Sequence, residues 1–232
     1  MGLLYNIDQT MLPFFYGGKN LFLDSWSLLL TNPFTWIPLY ILLFYLIVKN
    51  NEKIFQLILI LLFLIVCLAL SDGLPDGIIK PYFCRLRPIY DPSFSQWVKP
   101  VRNYMPQGFS FFSAHAANTM AVAVFLSLLV RKRTFSLMLL SWSFLNGWSR
   151  LYLGVHFFCD VIIGFLWGVF AGAFSYLIYI WIYSKVSQPN RYISSQYTKT
   201  GFNHSDIQIV MNVYLYIILT TIIVACYKVF NY

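Results

Sequence analysis

Residues 149–160 read SRLYLGVHFFCD, with a serine, an arginine, a histidine and an aspartate at the join between two strongly apolar stretches, 135–148 and 157–183. If those stretches are helices that cross a membrane, the four polar side chains gather at one membrane face. The composition supports this reading. Of 232 residues, 59% are hydrophobic and only 10% charged, with a mean hydropathy of +0.67. A soluble domain built this way would lack the polar surface to cover itself, so the chain reads as a polytopic membrane protein.

Working outward, apolar runs cover residues 34–48, 54–70, 111–130, 135–148, 157–183 and 209–230. These predict six transmembrane helices in an all-α bundle, one domain over residues 1–232. Two cores fall short of the ~20 residues a span needs, so the first is extended back toward Leu30 and the fourth onward through Tyr152. Residues 20–30, NLFLDSWSLLL, read as an amphipathic helix lying at the interface. The stretch 71–110 holds six of the ten prolines and is too long for a bare connector. It is expected to be an extra-membrane segment between helices two and three.

The net charge of +8 raises the possibility of nucleic acid, but the Lys and Arg residues are spread over short connections rather than gathered in a stripe. No nucleic-acid partner is expected. Alternation of the spans puts Lys49, Lys53, Arg131, Lys132, Arg133, Lys185, Arg191 and Lys199 on one side. Lys19, Arg85, Lys99, Arg102 and Lys228 fall on the other, once Lys80, Arg87 and Arg150 are reserved for chemistry. The positive-inside rule then places the first group in the cytoplasm and the 149–160 join outside. Cys67, Cys84, Cys159 and Cys226 show no metal-ligand spacing and read as ordinary cysteines.

Three polar clusters fall on that outer side: Lys80 and Arg87 in KPYFCRLRP, Ser113 and His115 in FSAH, and Ser149, Arg150, His156 and Asp160 in the opening stretch. Each member has an ordinary reading: an interfacial anchor for Lys80, a helix N-cap for Ser113, a satisfied structural histidine for His156. Asp160 is different, because an acid inside an apolar run is costly and points to function. On a helix, His156 and Asp160 at i and i+4 would share a face. The carboxylate could then accept from one imidazole nitrogen and leave the other free to attack. Lys80, Arg87 and Arg150 suit phosphate oxygens, and Ser113 at a helix start would face the same anion. His115 remains as an acid for a departing oxygen.

The spacing Lys80-x6-Arg87-Pro88, Ser113-x-His115, then Ser149-Arg150-x5-His156-x3-Asp160 resembles the three-part signature of the type 2 phosphatidic acid phosphatase superfamily, which also includes vanadium haloperoxidases. The middle motif departs from the usual Pro-Ser-Gly-His, with Phe112 for the proline and Ala114 for the glycine. The resemblance implies His156 as nucleophile, Asp160 as its orienting partner and His115 as general acid. Lys80, Arg87, Ser113 and Arg150 would bind phosphate with a contribution from Ser149, and no metal or other cofactor is needed. The expected function is a metal-independent bacterial lipid phosphate phosphatase in the inner membrane, with its site open to the outside. Its substrate would be undecaprenyl diphosphate, a lipid A phosphate, phosphatidylglycerol phosphate or phosphatidic acid. The alternative is a non-catalytic binder or transporter of an anionic lipid head group.

Overall fold

Each of the six apolar runs forms a helix, and two further helices precede them. The computed structural model describes residues 2–18, 20–96, 98–186 and 195–231; Lys19 and Arg191, used in the charge count, lie outside them. The helices are α1 Gly2–Phe15, α2 Leu21–Thr31, α3 Ile37–Lys49, α4 Ile54–Leu68, α5 Lys80–Phe83, α6 Ala114–Val130, α7 Arg133–Tyr152, α8 Phe158–Val186 and α9 His204–Phe230. Among the described residues there is no β-strand, only an isolated bridge between Tyr197 and Asn203.

Among the described residues, three helices are long and apolar enough to cross a membrane: Ile54–Phe83, Phe158–Val186 and His204–Phe230. The protein is an all-helical integral membrane protein. The first run, extended back to Leu30, is not one straight span. Asn20 starts α2 by accepting from the Phe22 and Leu23 N–H groups, and Pro33 follows its end, so α2 and the segment Pro33–Lys49 meet at 69°. Together they have the length and hydropathy of a fourth span. The segment after Leu70 also differs from expectation. Where the extra-membrane segment is expected to begin at residue 71, the chain instead continues past Gly73, Pro75 and Gly77 through two π-helical turns, Ala69–Gly73 and Pro75–Ile79, into α5. Pro75 opens the second turn, where a missing N–H is best tolerated. The helix stops at Cys84, whose backbone is left-handed at φ 47°.

The centre of the bundle is the α6–α8 contact. Gly164, Gly168 and Gly172 recur every fourth residue on one face of α8, directly against the α6 backbone. A Cβ at these positions would lie 2.7, 2.5 and 2.4 Å from the carbonyl oxygens of Ser113, Ala117 and Ala121. Only glycine permits so close an approach, the small-residue packing that membrane helices favour. The consequence is functional, since the same contact brings the start of α6, with Ser113 and His115, against the start of α8, with Asp160. A main core around Trp36, Phe125, Trp142 and Tyr179 fills the rest of the bundle. A second cluster of Leu12, Ile89, Phe94, Val98, Val101, Leu153, Val155 and Phe157 seals the segment after α5 and α1 onto the α7–α8 turn.

Candidate active site

The five-residue turn from Leu153 to Phe157 closes the site. Gly154 adopts φ +65°, and a Cβ there would meet Val98 Cγ1 at 2.8 Å, so both conformation and space call for glycine. The Val155 N–H donates to the Arg150 carbonyl at 3.3 Å. This tight reversal sets Arg150, at the end of α7, beside His156.

His156 precedes α8 instead of lying on it, which corrects the expected helical pairing with Asp160. Asp160 sits in the first turn of α8 and accepts at Oδ2 from the Phe157 N–H at 2.9 Å. This is the reciprocal half of a capping box, and it satisfies a donor the helix start leaves open. His156 Nδ1 lies 3.7 Å from that same oxygen, beyond a hydrogen bond, and has no other partner among the described residues. The carboxylate therefore faces the imidazole electrostatically while Oδ2 also accepts from the backbone. Its second oxygen, Oδ1, accepts from Arg85 Nη1 at 2.7 Å.

On the other side of the ring, Arg87 Nη1 donates to His156 Nε2 at 3.3 Å. An arginine can only donate, so Nε2 carries the lone pair and the neutral tautomer holds its proton on Nδ1, toward Asp160. Arg87 is fixed by three backbone carbonyls, those of Gly108 at 3.0 Å, Val155 at 3.1 Å and Gln107 at 3.0 Å. Burial, with the charge of Arg150, lowers its pKa to about 10, so it stays charged at neutral pH. Burial also pushes His156 well below the usual imidazole range, reinforced by the charges of Arg150, Arg87, Lys80 and His115. These groups, from three separate stretches of chain, therefore converge on one neutral imidazole.

The remaining expected residues are placed as follows. Arg150, only 2% exposed, donates through Nη1 to Thr31 Oγ1 at 2.7 Å and to the Tyr104 hydroxyl at 2.9 Å, while its Nε has no partner among the described residues. Lys80 is tied to Asp76 at 2.5 Å. Ser113 is the N-cap of α6, its Oγ accepting from the Ala116 N–H at 3.4 Å, and its own N–H donates to the Asp160 carbonyl at 3.1 Å. Ala114 begins α6 in ordinary helical conformation, so alanine in place of glycine carries no positive-φ cost. His115 lies one residue further on, exposed on the first turn. Ser149 is fully buried and donates to the Asn146 carbonyl of its own helix at 2.7 Å, so that proton is not turned toward an anion.

Sequence reasoning passed over Asp8, Thr31, Arg85 and Tyr104. Arg85 was counted as a topology charge, although its place in KPYFCRLRP, two residues before Arg87, was a visible signal. The other three come from stretches with no motif of their own.

The comparisons agree with this geometry. The model of the PAP2 superfamily matches residues 60–184. The chain is 33% identical over 177 residues to a lipid A 4′-phosphatase of Bacteroides thetaiotaomicron, covering 75% of this chain and 78% of that protein. It is 30% identical over 188 residues to a lipid A 4′-phosphatase of Porphyromonas gingivalis, covering 80% and 78%. The fold is similar to the crystal structure of a transmembrane PAP2 type phosphatidylglycerolphosphate phosphatase from Bacillus subtilis, with a TM-score of 0.58 and 20% identity over 82% of this chain and 90% of that one. A family match over more than half of the chain, on a helical scaffold that assembles all three motifs, leads to one conclusion: the chain belongs to the PAP2 superfamily and is a membrane lipid phosphatase.

Proposed function

We propose that the enzyme removes a sugar-linked phosphate monoester from a lipid A-type glycolipid by way of a phosphohistidine on His156. The observation that carries the mechanism is the neutral His156 imidazole, with Nε2 turned to Arg87 and buried cations around it. The substrate reading rests on the two lipid A 4′-phosphatase relatives. Arg87, Arg150, Lys80 and the N-terminal end of α6, which Ser113 caps, hold the phosphate oxygens. Nε2 attacks phosphorus as the bond from phosphorus to the sugar oxygen breaks, and His115 gives that oxygen its proton. The Nδ1–H of the phosphorylated ring then carries positive charge opposite Asp160, which stabilises it. Water, losing a proton to His115, cleaves the phosphorus–nitrogen bond and restores Nε2 with release of inorganic phosphate.

The same reading gives six passes, formed by the bent α2–α3 pair, α4, α6, α7, α8 and α9, in the bacterial inner membrane with the site facing outward. Support comes from the two-residue connection of Arg131 and Lys132 between α6 and α7, which is too short for anything but an antiparallel hairpin. The cation excess on the opposite connections adds to it.

The test is phosphate release by the purified protein in detergent with excess EDTA. The panel is lipid A, undecaprenyl diphosphate, phosphatidylglycerol phosphate and phosphatidic acid, each run beside His156→Ala. Release that survives EDTA, is fastest with lipid A and is lost in the variant supports the proposal. Faster turnover of another lipid overturns the substrate, and turnover by His156→Ala overturns the nucleophile. Lipid that binds without phosphate release returns the site to the head-group binder.

A further inference from the structure

A fully buried carboxylate that is neither nucleophile nor phosphate ligand lies behind the site. Asp8, on α1, is 0% exposed. Its Oδ1 accepts from the Cys159 N–H at 2.8 Å, and its Oδ2 is ion-paired with Arg85 Nη2. The other arm of that guanidinium, Nη1, donates to Asp160 Oδ1 at 2.7 Å, and its Cζ lies 4.0 Å from the centre of the Phe157 ring. One arginine thus spans two buried acids, with the acid from α1 also capping the first turn of α8.

We infer that Arg85 and Asp8 are positioning residues for phosphoryl transfer: Asp8 holds Arg85, and Arg85 holds Asp160 as an ionised carboxylate facing Nδ1 of His156. The physical need is direct. A carboxylate removed from water keeps its charge only when paired and hydrogen-bonded. Asp160 Oδ1 is engaged by Arg85 and Oδ2 by the Phe157 N–H, and of these only Arg85 brings charge. The bond also fixes where the carboxylate sits, because Oδ2 is left toward the imidazole once Oδ1 is engaged. Asp8 prevents the guanidinium from turning toward the phosphate pocket, where Arg87 lies two residues along the same segment. α1 thereby acquires a role that its own sequence does not announce, bracing the nucleophile through Asp8.

This inference rests on His156 as the attacking group, so the experiment separates the two. Arg85→Ala, Arg85→Lys and Asp8→Asn are compared with wild type for kcat, KM, the pH profile of kcat and competitive inhibition by inorganic phosphate. The charged or titratable groups facing Asp160 are His156 from the turn, Arg85 from the segment after α5, Asp8 from α1 and the neighbouring Cys159 thiol.

The expected result is a loss in kcat of about 10- to 100-fold, with KM and phosphate inhibition held within about threefold. In Arg85→Ala the acid limb of the kcat profile moves to higher pH, because the unpaired carboxylate takes up a proton sooner. Arg85→Lys shows a smaller displacement and restores part of kcat, and it decides the matter if the alanine variant does not fold. Asp8→Asn removes an anion that competes for Arg85, so its acid limb stays in place or moves to lower pH while kcat falls. A merely structural role would move neither limb, and unchanged kcat and profile in the folded Arg85 variants would overturn the inference. Phosphate inhibition weakened as much as in Arg87→Ala would overturn it too, making Arg85 a ligand. Wild type that traps no phosphate on His156 would instead remove the proposed mechanism.

Discussion

Arg87 and Arg150 at one end of the helix bundle lack the carboxylate partner that Lys49 has at the other, although Lys80 and Arg85 close by are ion-paired. Where residues 49–53, 129–132 and 197–206 meet, Lys49 pairs with Asp206 at 2.7 Å, and Asn50 donates to the same carboxylate at 3.2 Å. Arg131 reaches the Tyr176 hydroxyl at 3.3 Å and Lys132 lies 3.1 Å from His204 Nδ1. At the other end Arg87 and Arg150 are 5% and 2% exposed, and among the described residues neither forms an ion pair. A buried charge without a counter-ion is costly. It persists in a fold where something arrives to neutralise it, and the proposed function supplies the phosphate of the substrate for that purpose. On that proposal the first end holds the chain together and the second holds an anion.

That contrast can be broken experimentally. The largest expected effect after loss of the nucleophile is at His115. His115→Ala lowers kcat by about 100- to 10,000-fold for a lipid whose leaving group is a sugar hydroxyl. With an aryl phosphate, whose leaving group needs no proton, His115→Ala recovers the initial burst of leaving-group release that reports enzyme phosphorylation, while steady-state turnover stays slow because water attack lacks its base. A burst as deficient with the aryl phosphate as with the lipid would remove His115 from the acid role.

Next is Arg87→Lys, which keeps charge but cannot serve three carbonyls and Nε2 together. A loss of about 1.5–3 kcal/mol in transition-state binding corresponds to about 10- to 150-fold in kcat/KM, measured from initial rates. Wild-type kinetics would show that the fork geometry is irrelevant. At the opposite end, Lys49→Gln leaves kcat/KM within about twofold, since distant sites act independently. A large drop there would erase the distinction between the two ends.

A subtler expectation concerns protons. The folded pKa of His156 lies below its unfolded value of about 6.5, so the imidazole stays neutral as pH falls past that value. The unfolded chain binds a proton there that the folded chain does not. This residue's contribution to stability is therefore complete above about pH 6.5 and declines below it. An imidazole NMR titration together with unfolding midpoints against pH would check both statements.

Much of this site was readable because polar residues are rare in so apolar a chain. Lys80, Arg87, His115, Arg150, His156 and Asp160 stand out against their surroundings, and the motif spacing ties them together. The apolar runs likewise marked where helices form, while the number that cross the membrane belongs to the proposal. What stayed hidden were relations between distant residues. Asp8 precedes Cys159 by 151 positions and lies in a stretch with no motif of its own. The glycine stripe of α8 looked like ordinary apolar sequence until α6 was seen against it. The helical course of residues 69–83 was obscured by Gly73, Pro75 and Gly77, which the wider π turns absorb. The His156–Asp160 relation was assigned too simply, because four-residue spacing implies a shared face only when both residues are inside the helix. Here the helix begins between them.

The central claim is that phosphate passes through His156. Enzyme mixed with lipid A bearing radiolabelled phosphate and quenched in alkali, where phosphohistidine survives, should carry label on the peptide containing His156. The label should be absent from His156→Ala and should accumulate in His115→Ala when an aryl phosphate is the donor, because water attack then lacks its base. Turnover in wild type with no label on His156 in either trap would contradict the account.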